Sequence, residues 1–146
     1  MKRFHVILIK PSKYDEDGYV ISWFRGVLVS NSMAVMNALT EHAERTKVLG
    51  SDVEIITHYY DETVRRIQVK RLAGEVQSGD DRAVVCMVGV QTNQFPRAVD
   101  LGKEFMAYGL NVMIGGFHVS GSILMLPSIP DEIQEGIDAG ITMVAG

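Results

Sequence analysis

A single cysteine, Cys86, stands among the 146 residues. That excludes a disulfide framework and any zinc or iron–sulfur site built from this chain's own cysteines. It falls in the apolar run Ala83 to Val90 and reads as a buried structural thiol. No apolar run approaches the roughly 18 residues of a membrane span. Phe4 to Ile9 follows the basic start Met1-Lys2-Arg3. It is too short for a signal-peptide core and is interrupted by Lys10-Pro11, so a cytoplasmic protein without membrane attachment is the simplest expectation. Positive charge is in deficit, with 14 Lys and Arg against 18 Asp and Glu and a net charge of −4. A nucleic-acid surface is therefore not expected, because phosphate binding needs clustered cations. The one basic stripe, Arg65-Arg66 with Lys70-Arg71, reads as the solvated face of a helix. No Gly-x-Gly-x-x-Gly follows the first strand, and no phosphate loop of the Walker type is present. No Ser/His/Asp or Cys/His spacing suggests a nucleophile, so the chain alone is not expected to be catalytic.

What is present is 47% hydrophobic sequence, enough for one domain with a sizeable core. Strand and helix patterns alternate. Phe4 to Ile9 is almost wholly apolar, as in a strand covered on both faces. Ser30 or Asn31 caps a helix to about Arg45 with Met33, Met36, Leu39 and Ala43 on one face. Val53 to Tyr59 alternates and suits an edge strand. Asp61 caps a second helix to about Val76, with Ser78-Gly79-Asp80-Asp81 as the exit turn. Ala83 to Val90 is a central strand. Pro96 opens a helix with Ala98, Leu101, Phe105 and Met106 at helical spacing, ended by Gly109. Asn111 to Ile114 is a fourth strand. Pro130-Asp131-Glu132 starts a fourth helix, and Ile141 to Val144 is a fifth strand.

This alternation predicts an α/β, Rossmann-like domain of the flavodoxin-like kind. It would be a three-layer sandwich with a five-stranded parallel sheet in the order 2-1-3-4-5. Two irregularities stand out. The connection from Lys10 to Ser30 is roughly 20 residues where about 2–6 is usual. It carries Tyr14, Tyr19, Trp23 and Phe24 and reads as a functional wall or lid, the alternative being a short packing helix over Tyr19 to Arg25. The chain also stops at Gly146, at the end of the fifth strand, where a doubly wound sheet needs another helix. It reads as one domain, residues 1–146, cut from something longer.

Ligands of such sheets bind at the carboxyl ends of the strands. There the first strand feeds Pro11, Ser12, Lys13 and Tyr14, and the third feeds Gln91, Thr92, Asn93 and Gln94. The fourth feeds Gly115, Gly116, Phe117 and His118. Two glycines at a strand end leave backbone open to close approach. The set is hydrogen-bonding rather than catalytic. His118 suits either a contact to a ligand or partner or a loop position bonded to backbone. No role is expected for His5, His42 or His58. A receiver-type magnesium site is not expected, because Asp15, Glu16 and Asp17 lie too far past the strand and no partner lysine follows.

The segments Leu8-Ile9-Lys10-Pro11, Val88 to Ala98 and Met113-Ile114-Gly115-Gly116-Phe117-His118-Val119 together resemble the cobalamin-binding N-terminal domain of radical S-adenosylmethionine proteins. Members commonly carry Gly-Gly-Pro-His-Val after the fourth strand, and Phe117 replaces the proline. The resemblance implies a corrin across the carboxyl edge, touching the residues after strands three and four. The Asp-x-His-x-x-Gly motif that supplies histidine to cobalt elsewhere is missing, since Lys10 to Gly18 contains no histidine. So is the Cys-x-x-x-Cys-x-x-Cys cluster motif. The resemblance therefore implies that the iron–sulfur cluster and S-adenosylmethionine belong to a catalytic radical domain, C-terminal or in another chain. The alternatives are a non-binding interaction domain of the same fold, or a flavin or nucleotide site at the same edge.

Overall fold

The computed structural model describes residues 1–25 and 30–146. Its strands are β1 (Lys2–Lys10), β2 (Val53–Asp61), β3 (Arg82–Met87), β4 (Asn111–Gly115) and β5 (Thr142–Val144). All pair in parallel, in the order β2-β1-β3-β4-β5. The helices are α1 (Asn31–Arg45), α2 (Val69–Val76), α3 (Phe95–Ala107), α4 (Phe117–Met125) and α5 (Asp131–Asp138). The expected flavodoxin-like architecture is therefore present. No helix among the described residues is long and apolar enough to cross a membrane.

The core lies mainly on one side of the sheet. Ile7, Ile9, Val85, Met87, Val112 and Ile114 meet Leu72 and Val76 of α2, Leu101 and Phe105 of α3, and Ile133 of α5. Alternation turns Val84, Cys86 and Met113 to the opposite side, where they are only half-buried. There α1 covers β1 and β2. Burial pushes the Cys86 thiol up to about 11, so the lone cysteine is an inert packing group at neutral pH.

Three local expectations change. Asp61 does not cap α2: it ends β2, where its Oδ1 accepts from the Thr63 amide at 2.9 Å. The helix starts eight residues later, so Arg65 and Arg66 sit in the preceding segment and not on a helix. In α1, Ser30 Oγ accepts from the Met33 amide as the expected cap. However, Leu39 is exposed, and Thr40 takes the buried position, donating to Met36 O at 2.8 Å. The third change is α4, which the sequence hides. Its residues, Phe-His-Val-Ser-Gly-Ser-Ile-Leu-Met, include glycine, serines and β-branched residues that favour helices poorly. The described part of the long connection is no helix over Tyr19 to Arg25. Tyr14 and Val20 form an antiparallel bridge, and residues 26–29 lie outside the described residues.

At the amino-terminal half of the sheet, His5 and His58 share a hydrogen bond of 2.8 Å between Nδ1 and Nε2. Asp81 lies 3.6 Å from His5 Nε2 and 2.7 Å from Arg3. Burial, reinforced by the neighbouring His5, holds the His58 pKa below its ordinary value. The unfolded chain takes up this proton near pH ~6.5, the folded chain only at lower pH. The linked stability is complete above that pH and is lost as pH falls through the folded pKa. Urea midpoints at pH 7.5 and 5.5 should therefore fall more for the parent than for His58→Gln. Equal falls would remove the histidine pair from the pH response.

Candidate functional site

The loops after β1, β3 and β4 converge at the carboxyl end of the sheet through direct bonds. Val88 N donates to Ile9 O at 2.8 Å, and Val90 N donates to Gly115 O at 3.0 Å. Gln94 Nε2 reaches Pro11 O at 2.9 Å, while Gln94 Oε1 accepts from Gln91 N at 2.9 Å. Gln94 thus ties the β3 loop to the β1 loop, and the Val90 backbone ties it to the end of β4.

The glycine pair has an internal cause. Gly116 has φ 137°, a conformation that strains any side chain. A Cβ there would collide with the Val90 amide nitrogen and stand 2.7 Å from Val90 O and Gly89 C. The close approach is made by the chain's own backbone. Gly115 is different: its Cβ would meet Val144 at an ordinary 3.5 Å.

Gly116 also starts α4, which places His118 in a helix's first turn rather than in a loop. The His118 amide donates to Val90 O at 3.1 Å, and its Nδ1 lies 3.1 Å from Thr92 Oγ1. Its Nε2 lies 2.8 Å from Glu132 Oε1 on α5, without the alignment of a hydrogen bond. The ring packs on Phe95 with centroids 4.7 Å apart. His118 is buried, and through its amide and Nδ1 it clamps α4 to the β3 loop.

The β1 loop is also fixed. Ser12 is buried, its amide donating to Glu62 Oε2 at 3.0 Å and its hydroxyl to Ile21 O at 2.5 Å. Pro11 is buried and Lys13 half-buried, its carbonyl accepting from Ile21 N at 2.9 Å. Tyr14 donates to Asp100 on α3 at 2.5 Å. Burial and this carboxylate raise the Tyr14 pKa. Glu62, only 2% exposed, receives Arg97 in a bidentate pair with contacts of 2.5 to 3.2 Å. Burial opposes the Arg97 charge, and its bonds to Glu62, with Tyr14 close by, more than offset this, so its pKa is raised. Glu62, Arg97 and Asp100 were not among the expected site residues. One signal pointed to them: a cation in the first turn of α3 opposes the helix dipole and needs a carboxylate partner.

Of the expected residues, Gln91, Thr92, Asn93 and Phe117 are exposed, Phe117 by 77%. They offer uncharged amides, one hydroxyl and one aromatic ring beside the strand ends, with the half-exposed Glu132 carboxylate next to His118. Pro11, Ser12, Gln94, Gly116 and His118 build the scaffold beneath it. Among the described residues no cluster of three histidine, cysteine or carboxylate side chains could hold a metal ion. No protein-family model matches the chain, and no curated protein or solved structure is detectably similar to it.

Proposed function

We propose that this domain binds cobalamin at the carboxyl end of its sheet, as the accessory domain of a radical S-adenosylmethionine enzyme. The observation that carries the reading is the exposed, uncharged surface of Gln91, Thr92, Asn93 and Phe117 at the ends of β3 and β4. A corrin is a wide ring with a rim of neutral amides. Side-chain amides and a hydroxyl match that rim without desolvating a charge, and Phe117 offers a flat apolar contact. Buried, with Thr92 at its Nδ1 and the Glu132 carboxylate beside its Nε2, His118 is a poor cobalt ligand. Bound cobalamin would supply a methyl-carrying or radical-competent cobalt. The chain's own residues would hold and orient the ring, and the partner domain would carry the iron–sulfur cluster and S-adenosylmethionine. Methyl transfer or a radical rearrangement is the reaction class this implies for the whole enzyme.

One observation favours a second reading, an interaction domain that binds no cofactor. The space at Gly116 is filled by Val90 backbone, so the glycine is explained without any ligand. Calorimetry with hydroxocobalamin, with the visible spectrum followed in parallel, separates the two. Saturable heat near one corrin per chain is expected, with Thr92→Ala/Asn93→Ala binding about tenfold more weakly, or ~1.4 kcal/mol. No heat and an unchanged corrin spectrum up to about 1 mM would overturn the proposal in favour of the second reading. Saturable heat with flavin mononucleotide alone would instead make this a nucleotide site.

A further inference from the structure

A groove of about 1150 Å³ lies between α2, α3 and the Tyr14–Val20 hairpin. None of Gln91, Thr92, Asn93 or Phe117 lines it. Its size exceeds the roughly 300–1,000 Å³ of small-molecule pockets, and it is open along one side. Four cations line it, Arg66, Lys70, Arg71 and Arg97, against two carboxylates, Glu62 and Glu104. That balance reverses the chain as a whole, which carries 14 basic and 18 acidic residues.

The pairing of these charges sharpens the point. Arg97 is neutralised by Glu62, and Arg71 by Glu75. Arg66 and Lys70 take part in no ion pair among the described residues. Arg66, Lys70 and Arg71, three of the four residues of the basic run, thus line a concavity, with Arg66 preceding α2 and Lys70 within its first turn.

The rest of the wall suits a protein ligand. Tyr19 is 72% exposed with the partly exposed Val20 next to it in the hairpin, and Tyr108, at the end of α3, is 44% exposed. Tyrosine and arginine are the residue types enriched at interface hot spots. The hairpin wall is pre-organised: the Tyr19 amide donates to Asp15 Oδ1 at 2.9 Å, and Tyr14 is held by Asp100. A rigid wall lowers the ordering cost of binding.

We infer that this groove is a docking site for an acidic, extended segment of a partner protein, one that carries a bulky apolar side chain between its carboxylates. Arg66 and Lys70 receive the carboxylates, Tyr19 and Val20 receive the apolar side chain, and Tyr108 lines the groove at the end of α3. The inference is independent of the corrin reading, since the two surfaces share no residue named for them.

The test uses a fluorescent synthetic nonapeptide that repeats two glutamates and one phenylalanine, titrated into the chain by anisotropy. A ¹⁵N-labelled sample maps the site. Saturable binding is expected, weakened about tenfold from 50 to 300 mM NaCl as the charges are screened. Amide shifts should centre on Tyr19, Lys70 and Tyr108. Arg66→Glu/Lys70→Glu should bind at least about tenfold more weakly, and Tyr108→Ala several-fold. Arg66→Gln/Lys70→Gln, which removes the charges but keeps polar side chains, should also bind more weakly if the reversal variant fails to fold. Four outcomes would overturn the inference: no binding at about 1 mM peptide, binding that both double variants leave unchanged, shifts confined to the carboxyl-end surface, or stronger binding of a nine-nucleotide RNA or of inorganic polyphosphate than of the peptide.

Discussion

Gly116→Ala should destabilise the domain by about 4 kcal/mol or more, a large part of the ~5–15 kcal/mol that holds a domain together. Two costs add at this residue. The backbone at φ 137° disfavours any side chain, and the new methyl would drive into the main chain of Gly89 and Val90. That main chain has little room to retreat. Val90 is bonded through its amide to Gly115 O and through its carbonyl to the His118 amide. Displacing it breaks the junction where the β3 loop, the end of β4 and the start of α4 meet. Gly115→Ala is the matched control, because its methyl meets Val144 at 3.5 Å, an ordinary contact. It should cost about 1 kcal/mol or less. Urea unfolding of both variants checks the pair. Similar losses for the two would mean that the junction is looser than the 2.7 Å separations imply.

Glu62→Ala should cost about 3 kcal/mol. Glu62 is 2% exposed and serves three groups at once: the Ser12 amide and two nitrogens of Arg97. Removing it leaves a half-buried guanidinium and a buried amide without their acceptor. The Arg97 side chain keeps 17% of its exposure, so water recovers part of the loss and the figure stays at the lower end for a broken buried pair. Arg97→Ala should cost a similar amount, and the double variant clearly less than the two combined. Hydrogen exchange adds a local readout. The Ser12 and Ile21 amides should exchange faster in Glu62→Ala, since Ile21 is tied to Lys13 O and to the Ser12 hydroxyl. Additive losses and unchanged exchange would remove the pair as the anchor of the long loop.

Much of the sheet was legible in the chain because its signals are local. The apolar run of β1, the alternation of β2 and the apolar stretch of β3 reflect which strands lie inside and which at an edge. Caps did the same for helices: Ser30 before α1, Pro96 in the first turn of α3, and Asp131 with Glu132 opening α5. The α4 helix was not legible. Its residues favour helix weakly, and it forms because Gly116 turns the chain and the His118 amide finds Val90 O. The start of α2 was misread for a related reason. Asp61 has a capping side chain, but it is spent on the turn at Thr63, next to the residue that Arg97 recruits.

The candidate site divides along the same line. That the loops after β1, β3 and β4 are neighbours was legible in the sequence, because the βα alternation implies a parallel sheet and the most apolar strands lie inside it. Which of the site's residues face outward was decided only by the tertiary structure. Ser12 and His118 look in sequence like ligand-facing groups, and both are buried in the fold's own bonds. The glycine pair, legible as a place of close approach, gained its meaning only from the partner that comes close, the backbone of Val90. Periodicity records burial along one element. The bonding of one loop to another depends on positions that may be 50 or more residues apart, as for Ser12 and Glu62, and no local pattern encodes it.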